Sequence, residues 1–266
     1  MTILLAAISL NLMTTTRTNV SIEGILSNFV KVEAGPFQMG CMDIAESSPV
    51  HEVYLDRFHI SKYEVTIEEY LSYLNETQTK YAWANAEDWP IKGTPGNYHA
   101  QKKHLKLPVT GIKWPEAIAY CKWLSKKSGR RITLPTIAQW EKAAKGGNRS
   151  RQYLYSGSNI PDRIGWWEDN SGKRCHPVGQ KLPNELGLYD MSGNVFEWCL
   201  DWWSLTPYNK KPKINPTGPK RGKFKAYRGG SWKHILSYLR PSHRNNGGIP
   251  KIYRSPYLGF RLAMID

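Results

Sequence analysis

The stretch RGGSWKHILSYLRPSHR, residues 228 to 244, carries two histidines, His234 and His243, behind a glycine pair and a tryptophan. Neutral imidazoles can bind iron or copper, but no carboxylate lies in the segment to complete a two-histidine, one-carboxylate triad. Lone histidines in a basic loop are more often surface contacts than ligands. The same residues also suit recognition. Tyr227, Lys233, His234, Ile235, Tyr238, Leu239, His243, Asn245, Asn246 and Tyr253 combine rings, apolar groups and hydrogen-bonding groups, as an adaptable ligand-binding surface does. Thiol chemistry lies elsewhere. Cys41, Cys121, Cys175 and Cys199 form no CxxC pair and show no zinc spacing, and none follows Cys199. Cys121, on an apolar helix face, and Cys199, after Trp198, are expected as buried thiols.

Charge is concentrated around this segment. From Trp202 to Ile265 there are fourteen Lys and Arg and no Asp or Glu, while residues 1 to 201 hold 23 basic and 21 acidic residues. Such a block favours anionic partners, or else forms a solvated basic face. No nucleic-acid-binding motif accompanies it, so a nucleic-acid role ranks last.

The elements that must position these residues have readable boundaries. Short strands are expected in FVKVEAGPFQMG, and HEVYLDRFHISKYEV alternates through His51, Val53 and Leu55. A first helix follows a T-x-x-E capping box, Thr66 and Glu69, and presents Ile67, Tyr70, Leu71 and Leu74 on one face. A second starts at WPEAIAYCKWLSKKSG, with Pro115 in its first turn, Ile118, Cys121 and Leu124 facing inward, and Gly129 at its end. A shorter third opens on Thr136 and Gln139 and stops at Gly146. Beyond residue 146, frequent Gly, Pro and Asn predict short strands joined by long ordered loops. The composition, 40% apolar with eleven Trp and fifteen Tyr, suits one folded domain over residues 29–266. Residues 1–28 read as an apolar start and polar linker. MTILLAAISLNLM is too short to span a bilayer and resembles an export signal without its basic flank, which points towards the cell surface with peripheral attachment there; a cytoplasmic location stays open.

Six phrases in order, VEAGPFQMG, HEVYLDRFHISKYEVT, the run from LPVTGIKW to EKAAKGG, HPVGQKLPNELGLYDMSGNVFEWCLDWW, YRGGSW and LGFRLA, resemble the formylglycine-generating enzyme (sulfatase-modifying factor) family. The resemblance implies an α+β, C-type-lectin-like fold with two main helices, short strands and long ordered loops. The family's enzymes oxidise a substrate cysteine with two copper-binding cysteines, placed two residues after the Trp of GGSW and five further on. Those positions hold His234 and Leu239 here, so the thiolate pair is absent and the family reaction is not expected. A related branch, the sulfoxide synthases of thiol-histidine biosynthesis, uses histidine-bound iron. A histidine-metal-dependent oxidase using His234 and His243 is therefore the rival reading. The resemblance also implies a structural calcium site, carried over onto the side chains of Asp190 and Glu197 and the carbonyls of Gly193 and Val195, with a metal-free hydrogen-bonded turn as its alternative.

The family has a non-catalytic branch as well. Variable proteins of diversity-generating retroelements are similar in fold and end in a diversified segment framed by RGGSW and GFRL, as Arg228–Trp232 and Gly259–Leu262 frame this one. Their reverse transcriptase rewrites template adenines, and the asparagine-type codons so scattered cannot yield Lys, Gln, Glu, Met or Trp. Every residue type from His234 to Pro250 is reachable, whereas Lys233 and Lys251 are not. The leading expectation is a non-enzymatic binding protein whose ligand segment spans about residues 227–257. Its partner would be a macromolecule, a protein on another cell. No E-P-N or Q-P-D sugar motif is present. Trp232 is expected to anchor the segment in the core, and Arg228 and Arg261 to pair with acidic residues the sequence does not identify.

Overall fold

In the computed structural model, residues 15–16, 20–204, 211, 213–244 and 247–265 are described. The folded part begins before Phe29. Ser21 caps a five-residue helix, α1 (Ile22–Leu26), by accepting from the Gly24 amide, and Ile25 is buried in the main core. The expected linker thus contributes its last turn to the fold, because one well-placed apolar residue has a core to enter.

Four short strands follow: β1 (Phe29–Val32), β2 (Gly35–Met39), β3 (His51–Leu55) and β4 (Phe58–Ser61). β3 buries His51, Val53 and Leu55 and exposes Glu52 and Tyr54, the period-two pattern of a half-buried strand. Helix α2 (Ile67–Thr77) starts at the capping box, where the Glu69 carboxylate accepts from the Thr66 amide at 2.8 Å, and it buries the predicted apolar stripe. Helix α3 (Trp114–Ser128) ends on Gly129 in the left-handed conformation. Its inner face is Ala117, Tyr120, Cys121 and Leu124, with Ile118 half-buried at the margin. Tyr70 and Tyr120 lie ring against ring at 5.7 Å, and the edge of Phe260 meets both. Such pairings fix helix spacing where aliphatic side chains alone would slide.

After β5 (Arg131–Thr133) and helix α4 (Ile137–Ala144) come β6 (Phe196–Trp202), β7 (Lys225–Arg228), β8 (Leu258–Gly259) and β9 (Ala263–Ile265). One antiparallel sheet runs β1-β4-β9-β5, so the C-terminal strand lies between two N-terminal ones. A second runs β7-β6-β8, antiparallel on one side of β6 and parallel on the other. A third joins β2, β3 and the two-residue strand Lys213–Ile214. β7 and β8 bracket the RGGSW segment, and β6 holds both in register.

Two buried ionic nodes tie the helices to this sheet. The Arg261 guanidinium grips the Glu197 carboxylate through Nε at 2.6 Å and Nη2 at 2.7 Å, and the Trp140 indole donates to the same carboxylate at 2.6 Å. Glu141 accepts from Arg228 at 3.3 Å, Lys145 at 2.8 Å and the Gly40 amide at 2.7 Å. Burial opposes charge on Glu141, but Lys145 and Arg228 outweigh it and hold the carboxyl below its ordinary range. These are the partners expected for Arg228 and Arg261. Cys121 and Cys199 are buried free thiols, and burial pushes both upward; Cys41 and Cys175 are free and half-buried. Among the described residues no helix is long and apolar enough to cross a membrane.

Candidate ligand-binding site

β7 delivers the segment to the surface along the edge of β6. Tyr227 stands opposite Trp198 in the register, meets Phe196 edge-on at 5.0 Å and stacks on Tyr253 at 6.0 Å. The glycine pair then turns the chain. Gly229 and Gly230 have φ of 104° and 76°, and a Cβ on Gly230 would lie 2.9 Å from the Leu239 side chain. Only glycine takes that conformation at that separation without strain.

From here the segment is held largely by its backbone, with side-chain anchors added by Arg240 on Asp43, Ser242 on the Gly40 carbonyl, Arg244 on the Glu46 carbonyl and Arg254 on Glu116. The Gly193 amide donates to the Gly229 carbonyl at 2.7 Å, and the Trp232 amide to the Asn194 carbonyl at 2.8 Å. Ser192 Oγ reaches the Leu239 carbonyl at 2.7 Å, and Ser47 Oγ the Ser242 carbonyl at 2.5 Å. Buried Arg228 crosses beneath the loop and donates to the His243 carbonyl at 2.6 Å. Lys225 and Gly248 exchange both backbone hydrogen bonds, and the Gly111 amide holds the Ser255 carbonyl at 2.9 Å. Lys225 itself lies between the Trp114 and Trp202 rings, 4.1 and 4.0 Å from their centres, with its ammonium on the Leu200 carbonyl.

The side chains sort into two groups. Lys233, Ile235, Ser237, Lys251, Ile252 and Pro256 are exposed, with Ile235 at 55% and Ile252 at 66%. Tyr227, His234, Tyr238, His243 and Tyr253 are half-buried around Phe196. His234 packs edge-on against Phe196 at 4.7 Å, and Tyr238 lies between His234 at 5.1 Å and His243 at 4.5 Å. They form an aromatic bed whose outer faces reach solvent. His234 Nδ1 is 2.6 Å from Ser231 Oγ. Burial, reinforced by Lys233, lowers His234 to about 4; burial, then Arg228, does the same to His243. Both rings are therefore neutral at pH 7.

Two sequence expectations change. Leu239 is no surface residue: it is fully buried with Tyr155 and Ile164, because the single 3-10 turn Leu236–Leu239 rotates it inward. Trp232 is no core anchor: it is half-exposed, its indole donates to the Pro256 carbonyl at 3.4 Å, and it forms the wall of a cavity beside the segment. Asn245 and Asn246 lie outside the described residues. Ser237, Ile252 and Tyr257 join the surface without a sequence signal, and Lys251 joins it too, since in an aperiodic loop no spacing separates inward from outward positions.

Of the residues that the resemblance assigns to calcium, Glu197 and Asp190 have partners within the protein. Both Glu197 oxygens are engaged by Arg261 and Trp140, so a guanidinium already supplies the positive charge there. Asp190 takes the Gly179 amide at 2.7 Å on one oxygen, while its other is buried without a hydrogen-bond partner. Burial raises Asp190 to about 6, and burial with the neighbouring Asp190 charge pushes Glu64 well up. The pair is thus suited to sharing a proton. Gly193 serves closeness instead, since a Cβ there would lie 2.4 Å from the Trp166 carbonyl, and Val195 is buried behind it. Among the described residues no three His, Cys, Asp or Glu side chains are grouped to hold a metal, and His234 and His243 remain two without a third.

Short strands around two main helices, with a long segment clamped at the sheet edge, define an α+β, C-type-lectin-like fold of the formylglycine-generating type. The chain belongs to the family described as "Sulfatase-modifying factor enzyme 1-like domain", which it matches over residues 18–265. It is similar in structure to the Treponema denticola variable protein 1, with a TM-score of 0.73 and 28% identity, covering 89% of this chain and 94% of that one. PvdO from Pseudomonas aeruginosa is similar at a TM-score of 0.71 and 25% identity, over 89% and 93% of the two chains. In sequence it is 29% identical to the formylglycine-generating enzyme of Streptomyces coelicolor over 88% of each chain. It is 34% identical to the serine/threonine-protein kinase pkn1 of Chlamydia pneumoniae over 90% of this chain, yet spans only 38% of that protein.

Proposed function

We propose that this protein is a non-enzymatic ligand-binding protein, a variable protein of a diversity-generating retroelement, whose segment 227–257 binds a macromolecular ligand, a protein on another cell. The observation that carries the reading is the division of labour in the segment. Its carbonyls are gripped by Arg228, Ser192, Ser47 and the amides of Gly193 and Gly111, while Lys233, Ile235, Ser237, Lys251 and Ile252 are exposed. A carbonyl is common to all residue types, so this grip tolerates changes in side chain. The similarity to a protein called variable supports the same reading. The similarity to formylglycine-generating enzymes points the other way, but His234 and buried Leu239 occupy the two positions where that resemblance puts cysteines. Display at the cell surface, by peripheral attachment, belongs to this proposal.

Sequencing the gene and its surroundings across many isolates tests it. The expected result is a nearby reverse transcriptase gene, a near-identical template repeat, and substitutions at adenine-derived positions confined to codons 227–257. Uniform codons and no template repeat would remove the retroelement. The rival oxidase is tested by elemental analysis of protein purified without chelators: stoichiometric iron or copper, lost in His234→Ala, would replace the binding reading.

A further inference from the structure

Beside the segment, on the far side of Trp232, lies a cavity of about 690 Å³. Its wall combines Ile67, Pro90, Leu107 and Pro108 with Trp232 and Pro256, the last two from the segment itself. Trp89 adds a second indole. At the mouth stand Lys103, Lys173 and Arg174, all exposed, and none of the three side chains makes a hydrogen bond or ion pair among the described residues. A single carboxylate, Asp88, faces them. His104 also lines the space, and its Nδ1 is buried without a hydrogen-bond partner; burial, then Lys103, keeps that ring neutral.

Apolar walls below unpaired cations are complementary to a chain that inserts an apolar side chain and leaves carboxylates at the opening. We infer that this cavity is an anchoring subsite for an acidic peptide segment of the partner, one that places a large apolar residue between Trp89 and Trp232 and its flanking carboxylates on Lys103, Lys173 and Arg174. The inference rests on the binding-protein reading and extends it. Most of the cavity lies outside residues 227–257, so this contact stays constant while the neighbouring surface varies. The exposed face then selects among partners, and the cavity supplies a shared foothold.

The test titrates the full chain into a fluorescein-labelled peptide with a Leu-Phe core flanked by Asp and Glu, read by anisotropy. Two control peptides accompany it, one with the acids replaced by Lys and one with the core replaced by Ser. The acidic, apolar-core peptide binds and both controls fail. Lys173→Glu with Arg174→Glu, exposed positions whose change leaves the circular dichroism intact, weakens binding about tenfold at low salt, and the difference narrows as salt screens the rim. Ile235→Ser with Ile252→Ser, on the variable face, leaves it unchanged. Equal binding of the Lys peptide, indifference to the charge reversal, or no binding by the wild type overturns the inference. Codon diversification found alongside any of these failures leaves the binding-protein reading standing without the subsite. A bound peptide without diversification supports the subsite and removes only the retroelement.

Discussion

Leu239→Ala separates the scaffold from its displayed surface. Leu239 is 0% exposed, packs with Tyr155 and Ile164, and faces the turn at Gly230. The substitution removes buried carbon worth about 2.4 kcal/mol at roughly 0.8 kcal/mol per methylene. Because Gly165 and Gly230 already approach that side chain closely, the walls have little room to collapse. A residual cavity therefore adds about 1 kcal/mol or more, for a total of about 3–4 kcal/mol. The Ser192 bond to the Leu239 carbonyl survives, so the loss is one of packing alone. Ile235→Ala, four residues earlier but 55% exposed, costs less than about 1 kcal/mol. Urea unfolding followed by tryptophan fluorescence measures both, with equal slopes confirming that only stability has changed. A cost below about 1 kcal/mol for Leu239→Ala, or equal costs at the two positions, would refute the assignment of Leu239 to the interior.

Calcium provides a second check: replacing calcium with EGTA leaves the thermal midpoint within about 1 °C, because Arg261 already neutralises Glu197. Glu197→Gln, by contrast, strips a buried guanidinium of its counter-ion and destabilises by about 3–5 kcal/mol; a calcium-dependent rise of several degrees in the wild type would mean the ion displaces Arg261. Acid offers a third. His234 and His243 titrate at about 4 in the fold against an ordinary 6.5, so the stability they lend is complete above pH 6.5 and is lost as pH falls towards 4. Discounted for partial exposure, the loss is about 1 kcal/mol for each ring. Asp190 and Asp201, raised by burial to about 6, act in the opposite direction over about the same range, so the comparison is with His234→Gln/His243→Gln. The wild type should lose stability relative to that variant between pH 7 and 4.5, and parallel curves would reject the assignment.

Local signals carried much of the fold into the sequence. The Thr66–Glu69 and Thr136–Gln139 boxes and the Gly129 stop act within one helical turn, so their chemistry is readable in order, and all three are in place. What escaped reading acts across the chain. Glu141 is 87 residues from Arg228, and Glu197 is 64 from Arg261. Several carboxylates were available to each arginine, and only the packing of α4 against β6 and β7 selects one. Ile235 and Leu239 are similar aliphatics in one aperiodic loop, and a single 3-10 turn places one outside and the other inside. The cavity wall draws on residues near 67, 89, 107, 174, 232 and 256, a set with no signature along the chain.

That pattern also explains how an architecture shared with enzymes can present a changeable surface. A side-chain anchor makes its position a structural commitment, and the segment has a few: Arg228, Arg240, Ser242 and Arg254. Elsewhere the segment accepts through its carbonyls: those of Gly229, Leu239, Ser242 and Ser255 from the scaffold, and those of Pro241 and His243 from Arg228 at its own buried start. A carbonyl remains whatever the side chain, and even proline supplies one, as Pro241 does for Arg228. The amides the segment donates outward, from Trp232 and Gly248, and those that close its own turns, from His234, Tyr238, His243, Ile252 and Tyr253, are positions where proline would cost a hydrogen bond. The limits on variation therefore come from four sources: glycine at the Gly229–Gly230 turn, an apolar group at Leu239, an amide at the donor positions, and the anchoring side chains of Arg228 on Glu141, Arg240 on Asp43, Ser242 on the Gly40 carbonyl and Arg254 on Glu116. The side chains of Lys233, Ile235, Ser237, Lys251 and Ile252 are bound by none of them, and on the proposed function they form the face a partner meets.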